Sequence, residues 1–179
     1  MIRYAYTEKE IKQILDSITI VVDTREKMNS HVLEYFKAKK IPFVIKGMRT
    51  GDYGCYIPRN EELGIPRDIY LRDCIERKNG IDELVGNLSK DKRSAFENEL
   101  IRGSGYPFTL VCEDDNGYGN ILSGNYRSEY DPKALLGSLK TFEARYNFSI
   151  VYLNPKYTGN YIYYSFYYAC REYLKNGVI

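Results

Sequence analysis

A chain of 179 residues, 44% hydrophobic and 28% charged, has the composition of one ordinary globular domain, long enough to bury a core. Its net charge of +2 excludes a polybasic, histone-like binder but not a DNA enzyme, in which an acidic metal pocket and a basic track cancel in the total. No apolar run approaches the roughly 18 residues of a transmembrane helix, and Met1-Ile2-Arg3-Tyr4-Ala5-Tyr6 has no apolar leader core. An intracellular, cytoplasmic protein with no membrane partner is therefore expected. Cys55, Cys74, Cys112 and Cys170 form no CxxC pair and read as free thiols.

Thr7 with Glu10 three residues on reads as a capping box, and the apolar spacing that follows predicts a helix over 8–16. Ile18 to Val22 is a β-branched run of the kind buried in a central sheet, ending at Asp23-Thr24-Arg25-Glu26. Asn29-Ser30 is placed to cap a second helix bearing Val32, Leu33, Tyr35 and Phe36. His31, the single histidine, reads as a first-turn surface residue without a catalytic role. From Lys37 to Arg49 the charges are all basic (Lys37, Lys39, Lys40, Lys46, Arg49), either a solvated face or a phosphate-contacting surface.

Pro42 to Ile45 and Tyr53 to Ile57 read as strands, residues 58–68 as a loop, and Ile69 to Ile75 as a strand continued by Glu76-Arg77-Lys78. A helix face (Ile81, Leu84, Val85, Leu88) and a charged helix near 90–102 follow. Phe108 to Cys112 is a strand ending in Glu113, read as an ordinary strand-end acid, and Gly117 and Gly119 mark a loop. Pro132 opens a helix to about Tyr146, Ser149 to Leu153 is the last strand, and a tyrosine-rich helix spans about 160–174. In that helix Ile162, Phe166, Ala169 and Tyr173 form a core stripe. Its other tyrosines suit a dimer interface or stacking on unpaired bases. Strands alternating with helices predict a three-layer α/β/α domain on a central mixed sheet.

The chemistry concentrates between Gly51 and Asp82. Asp52 and Glu76 could bring two carboxylates together from neighbouring strands, as a divalent cation requires. Lys78 lies two residues after Glu76 and so shares its face, where it could orient a water or steady charge on a phosphate. Arg77 points to the opposite face, towards an acid beneath the sheet, leaving only its carbonyl for a metal.

Gly51-Asp52, a gap, then Glu76-Arg77-Lys78 and Asp82 resembles the GD…ERKxxxD signature of the XPF-type, Hef-like structure-specific endonucleases. These belong to the PD-(D/E)xK superfamily, with a restriction-endonuclease-like fold. Val22-Asp23-Thr24-Arg25-Glu26 is similar to the family's upstream VDxRE element, and the likeness covers roughly 18–175. The resemblance implies Mg²⁺ or Mn²⁺ held by Asp52, Glu76 and the Arg77 carbonyl, with Lys78 catalytic. It also implies pocket roles for Asp23, Arg25 and Glu26, and a supporting or helix-start role for Asp82.

The expected activity is cleavage of branched DNA (flaps, forks, junctions) in repair or recombination, by a homodimer or with a DNA-targeting partner protein. The alternatives are a non-catalytic scaffold subunit and a Holliday-junction or restriction-like nuclease of the same superfamily. The family's tandem helix-hairpin-helix module has no room in this sequence, which reads as a single nuclease domain over 1–179. So compact an architecture would suit a phage or other mobile element. The insertion between Tyr53 and Glu76 is long, with Arg59, Arg67 and Arg72 in or near it, and is expected to contact DNA beside the cut, together with Lys46 and Arg49.

Overall fold

The computed structural model describes residues 5–177; Met1–Tyr4, read above for a leader, lie outside them. The chain runs α1 (Glu8–Leu15), β1 (Thr19–Val22), α2 (Ser30–Ala38), β2 (Phe43–Ile45), β3 (Tyr53–Ile57) and a 3₁₀ turn (Glu61–Leu63). Then come β4 (Ile69–Tyr70), β5 (Cys74–Lys78), α3 (Ile81–Asn87), α4 (Arg93–Gly103) and β6 (Phe108–Cys112). It closes with α5 (Gly117–Ser123), α6 (Pro132–Tyr146), β7 (Ser149–Tyr152) and α7 (Pro155–Asn176).

The strands form one mixed sheet in the order β2-β1-β3-β5-β6-β7, with β4 also on β3. β3 runs antiparallel to its neighbours and the other pairs along that order are parallel. The carboxyl ends of β1, β2, β5, β6 and β7 therefore share one edge with the start of β3. That edge is where α/β sheets hold their sites, and it collects Asp23, Lys46, Asp52, Lys78 and Glu113.

Alternation along the strands divides the core in two. Ile20, Val22, Ile75 and Val111 pack with α1, α2 and α7, whereas Cys74, Leu110 and Cys112 pack with α3 to α6. The result is the expected restriction-endonuclease-like three-layer α/β/α sandwich. The capping box on α1 is present: the N–H of Glu10 donates to Thr7 Oγ1 at 3.3 Å and that of Thr7 to Glu10 Oε2 at 2.7 Å.

Five local expectations are corrected. Asn29 sits at the N-cap of α2 but makes no side-chain cap; its amide is buried and donates to Tyr53 Oη at 3.1 Å. The strand expected from Ile69 onward is broken. Three steps along β3 (Tyr53 to Tyr56) face five along its partner (Tyr70 to Ile75), so two extra residues bulge out around Leu71–Asp73. Gly117 and Gly119 lie in a helix, not a loop. The Tyr152 ring lies so close that a Cβ on Gly117 would meet Cδ1 at 2.3 Å, so packing there outweighs helix propensity. The final helix starts earlier, at Pro155, with Asn154 as its cap. Its buried stripe is Ile162, Phe166, Cys170 and Leu174, so Ala169 and Tyr173 lie off it and are partly exposed.

The segment 58–68 is also less peripheral than its composition suggests. Ile65 is buried in the core, and Asn60 and Ile65 bond to each other's backbone. It leaves the carboxyl end of β3, the opposite end from Asp52. Five residues of strand, about 16 Å, separate Arg59 and Arg67 from the Asp52 edge, so they do not lie beside that site. The basic run is likewise split: Lys37, Lys39 and Lys40 precede β2, and Lys46 and Arg49 follow it.

Candidate active site

All five residues of β5 are buried, including the three charges of Glu76-Arg77-Lys78. Burying charge is costly unless each one is paired, and the pleat sorts the partners by face. On the α3–α6 side, Lys78 Nζ donates to Glu76 Oε1 at 2.5 Å and stands 5.7 Å from the centre of the Phe96 ring. On the other side, the Arg77 guanidinium donates to Glu113 Oε2 at 2.6 Å, Glu26 Oε1 at 2.9 Å and the Met28 carbonyl at 2.9 Å.

Asp52, in the turn just before β3, is brought against β5 by Gly51. Gly51 has φ +73°, and a Cβ there would meet Cys74 Cβ and the Ile75 carbonyl at 3.1 Å. That close approach lets the Asp52 N–H donate to the Ile75 carbonyl at 2.9 Å and Asp52 Oδ2 accept the Arg77 N–H at 2.9 Å. Since N–H and C=O of one strand residue point to the same edge, the Arg77 carbonyl also faces Asp52.

The two carboxylates sit where negative charge is disfavoured. Burial, then the nearby Glu26, lifts Asp52 to about 6 against the lowering effect of the Arg77 N–H. Burial and the field of Asp52 hold Glu76 well above the usual carboxylate range despite Lys78. Burial alone would lower Lys78, but Glu76 overrides it and keeps the ammonium charged. Glu76 Oε2 is buried without a hydrogen-bond partner. Among the described residues no group of three His, Cys, Asp or Glu side chains is arranged to enclose an ion. A cation that keeps several waters needs only one or two carboxylates, and an orphaned carboxylate oxygen beside a second carboxylate fits such an ion.

These groups open into a cleft of about 270 Å³ lined by Arg25, Glu26, Asp52, Glu76, Arg77 and Glu83, among others. Asp23 does not line it. Its carboxylate accepts the Arg25 N–H (2.8 Å), the Arg25 guanidinium (2.7 Å) and the Met48 N–H (2.5 Å), locking two loops together. The Asp23 N–H donates to the Asp52 carbonyl at 2.8 Å, so this lock also fixes the loop that carries Asp52.

Asp82 is a helix-start residue: it accepts the Arg127 N–H at 2.8 Å and pairs with the Arg127 guanidinium at 3.1 Å, outside the cleft. The acid of α3 that faces the cleft is its neighbour Glu83, which accepts the Asn79 N–H at 2.8 Å. Glu99 of α4 acts electrostatically on Asp52, Glu76 and Lys78. Neither acid belongs to the strand-borne pattern, and only helical phase relative to Leu84 and Phe96 could have pointed to them. Glu113 and His31 are not ordinary surface groups either. Glu113 is buried, accepting Thr158 Oγ1 and meeting His31 Nε2, both at 2.6 Å.

Two carboxylates and a lysine, carried by β5 and by the turn that leads into the antiparallel β3, within a mixed sheet flanked by helices, fit the restriction-endonuclease-like fold class. The ERCC4 domain profile matches residues 22–165, and the chain belongs to that family. Among solved structures, it superposes on XPF from Aeropyrum pernix with a TM-score of 0.60 and 17% identity, covering 87% of this chain and 66% of that one. The Aeropyrum pernix XPF complex with DNA gives 0.58 and 17%, with coverages of 86% and 65%. The chain thus spans about two thirds of the length of those structures. No curated protein matches it.

Proposed function

We propose that the protein is a divalent-metal-dependent DNA endonuclease that hydrolyses phosphodiester bonds in branched DNA, in repair or recombination. The observation that carries this reading is the buried Glu76–Lys78 pair beside Asp52, with Glu76 Oε2 left free of any partner. Membership of the ERCC4 family and the likeness to an XPF solved with DNA support it.

Asp52 and Glu76 would hold Mg²⁺ or Mn²⁺, with the Arg77 carbonyl as a further oxygen. The ion, when bound, supplies positive charge for the phosphate and a more acidic water. This chain's own groups do the rest. Lys78, held charged by its pair with Glu76, does not line the cleft itself but stands directly behind that carboxylate, from where it can offset charge on the phosphate and orient a water once Glu76 turns to a cation. Arg77 fixes β5 from beneath through Glu26 and Glu113, and Asp23 fixes the Asp52 loop. Lys46 and Arg49, exposed on the same sheet edge, are suited to the DNA backbone.

A homodimer is part of the proposal. Tyr164 and Tyr168 of α7 are exposed and stack on one another at 6.1 Å, as expected for a face that another copy covers. A monomeric mass at micromolar concentration would exclude it.

The test is cleavage of labelled flap, fork, four-way and linear duplex DNA with Mg²⁺ or Mn²⁺, beside Glu76→Gln and Lys78→Ala. Wild type should cut branched substrates, Lys78→Ala should be slower by about 10²–10⁴-fold, and Glu76→Gln should lose Mn²⁺ binding. Equal inactivity of all three on every DNA would leave the scaffold reading standing. Preference for the four-way or linear DNA would move the substrate to the alternative nuclease class.

A further inference from the structure

The packed core on the α3–α6 side holds residues of β5, β6 and β7 but none of β1, β3 or β4. That bare part of the sheet forms the floor of a groove of about 550 Å³, with Val21, Met48 and Gly54 at its base. The Met48 side chain lies over Gly54, where a Cβ would meet its Cε at 3.0 Å. Along the rim stand Lys46, Arg49, Arg72 and Arg102 with the rings of Tyr70 and Tyr106. The single acid in the lining, Asp73, is engaged by the Tyr173 hydroxyl at 2.7 Å.

Two properties separate this groove from a plain basic surface. Both rings are large apolar groups left open, Tyr70 at 47% and Tyr106 at 40% of full exposure. Each also has an exposed cation beside it: Lys46 Nζ donates to Tyr70 Oη at 2.9 Å and lies 4.8 Å from that ring's centroid, and the Arg72 guanidinium carbon is 5.5 Å from that of Tyr106. The bulge in the strand after Tyr70 contributes Leu71, Arg72 and Asp73 to the groove wall, and Tyr56 backs the Tyr70 ring, stacked at 5.0 Å. Partly exposed aromatic rings interleaved with mobile cations match the chemistry of unpaired nucleic acid, whose bases stack while its phosphates draw those cations off the rings. The bases of an intact duplex are already stacked and offer the rings nothing.

We propose that this groove binds a single-stranded arm of DNA, with unpaired bases stacking on Tyr70 and Tyr106 and phosphates on Lys46, Arg49, Arg72 and Arg102. The inference rests on the nuclease reading for its biological sense and deepens it. Cys74 lines the groove two residues before Glu76, about 7 Å along one strand, so an arm held there leads directly to the candidate active site. It also gives a local origin for branched-DNA preference, since the groove accepts the arm that a linear duplex lacks.

The experiment is fluorescence anisotropy of a labelled oligo-dT and of a blunt duplex, both in EDTA so that no cleavage occurs. It compares wild type with Tyr70→Leu/Tyr106→Leu and Tyr70→Phe/Tyr106→Phe, with circular dichroism melting as the fold control. The Leu pair should weaken oligo-dT binding at least about 10-fold and leave duplex binding within about 2-fold, while the Phe pair, which keeps both rings, retains it. The proposal is overturned if wild type does not bind oligo-dT, if the Leu pair changes nothing, or if it weakens both ligands alike. The two readings fail separately. Tyrosine-dependent oligo-dT binding in a protein that cuts no DNA sinks the nuclease, and cleavage abolished by Glu76→Gln with tyrosine-independent binding sinks the groove.

Discussion

The Oδ2 of Asp52 accepts the backbone N–H of Arg77 at 2.9 Å, which ties the acid before β3 to the strand that carries Glu76 and Lys78. The spacing between the two carboxylates is therefore set by a strand-to-strand contact rather than by flexible side chains. Gly51 makes that contact possible. Gly51→Ala places a side chain at φ +73° and against Cys74 and Ile75. It should destabilise the fold by about 1–3 kcal/mol in urea titration. It should also reduce cleavage beyond what the unfolded fraction explains, read from rates normalised to folded protein.

Asp52 makes metal-free stability depend on pH. Its carboxyl titrates at about 6 in the folded chain against 3.8 unfolded. Below 3.8 both states are protonated and nothing is lost. Between 3.8 and about 6 the native state keeps a proton that the unfolded state releases, so stability falls as pH rises through that window. Asp52→Asn, which keeps an acceptor for the Arg77 N–H, should raise the thermal midpoint in EDTA at pH 8 by a few degrees. At pH 3.5 the gain should vanish. An equal gain at both values would assign the effect to something other than the charge.

Glu113 should matter more to stability than a strand-end acid. It pairs with Arg77 and holds Thr158 of α7 and His31 of α2. Glu113→Ala leaves the buried guanidinium short of a partner, a loss of about 3–5 kcal/mol. A chemical-denaturation midpoint unchanged from wild type would contradict this.

The segment 59–67 contains Ile65, whose side chain is 1% exposed. Deleting it should lower the thermal midpoint as well as alter DNA binding. Arg59→Ala/Arg67→Ala keeps Ile65 and should leave the midpoint within a degree or two. The arginine pair is the clean probe of whether this segment contacts DNA.

The site strand, the layer architecture and the family were legible in the sequence for physical reasons. A β-branched run, a helical stripe and a capping box are local patterns, and a period of two places Glu76 with Lys78 and opposite Arg77 before any tertiary contact is known. What stayed hidden was set by partners distant in sequence. Glu83 lines the cleft and Glu99 acts on it electrostatically, from helices whose placement depends on how α3 and α4 pack. Asp23 turned out to lock loops because Met48 arrives from another connection, and Asp82 turned away because Arg127 claims it. The bulge after Tyr70 cannot be seen in a strand-like run, since only the register against β3 creates it. Sequence alone determined which charged residues of β5 share a face, through chain-local periodicity. The depth of burial that lifts Asp52 and Glu76, and the open aromatic groove beside them, were decided by tertiary packing, because both depend on what the helices cover and what they leave bare.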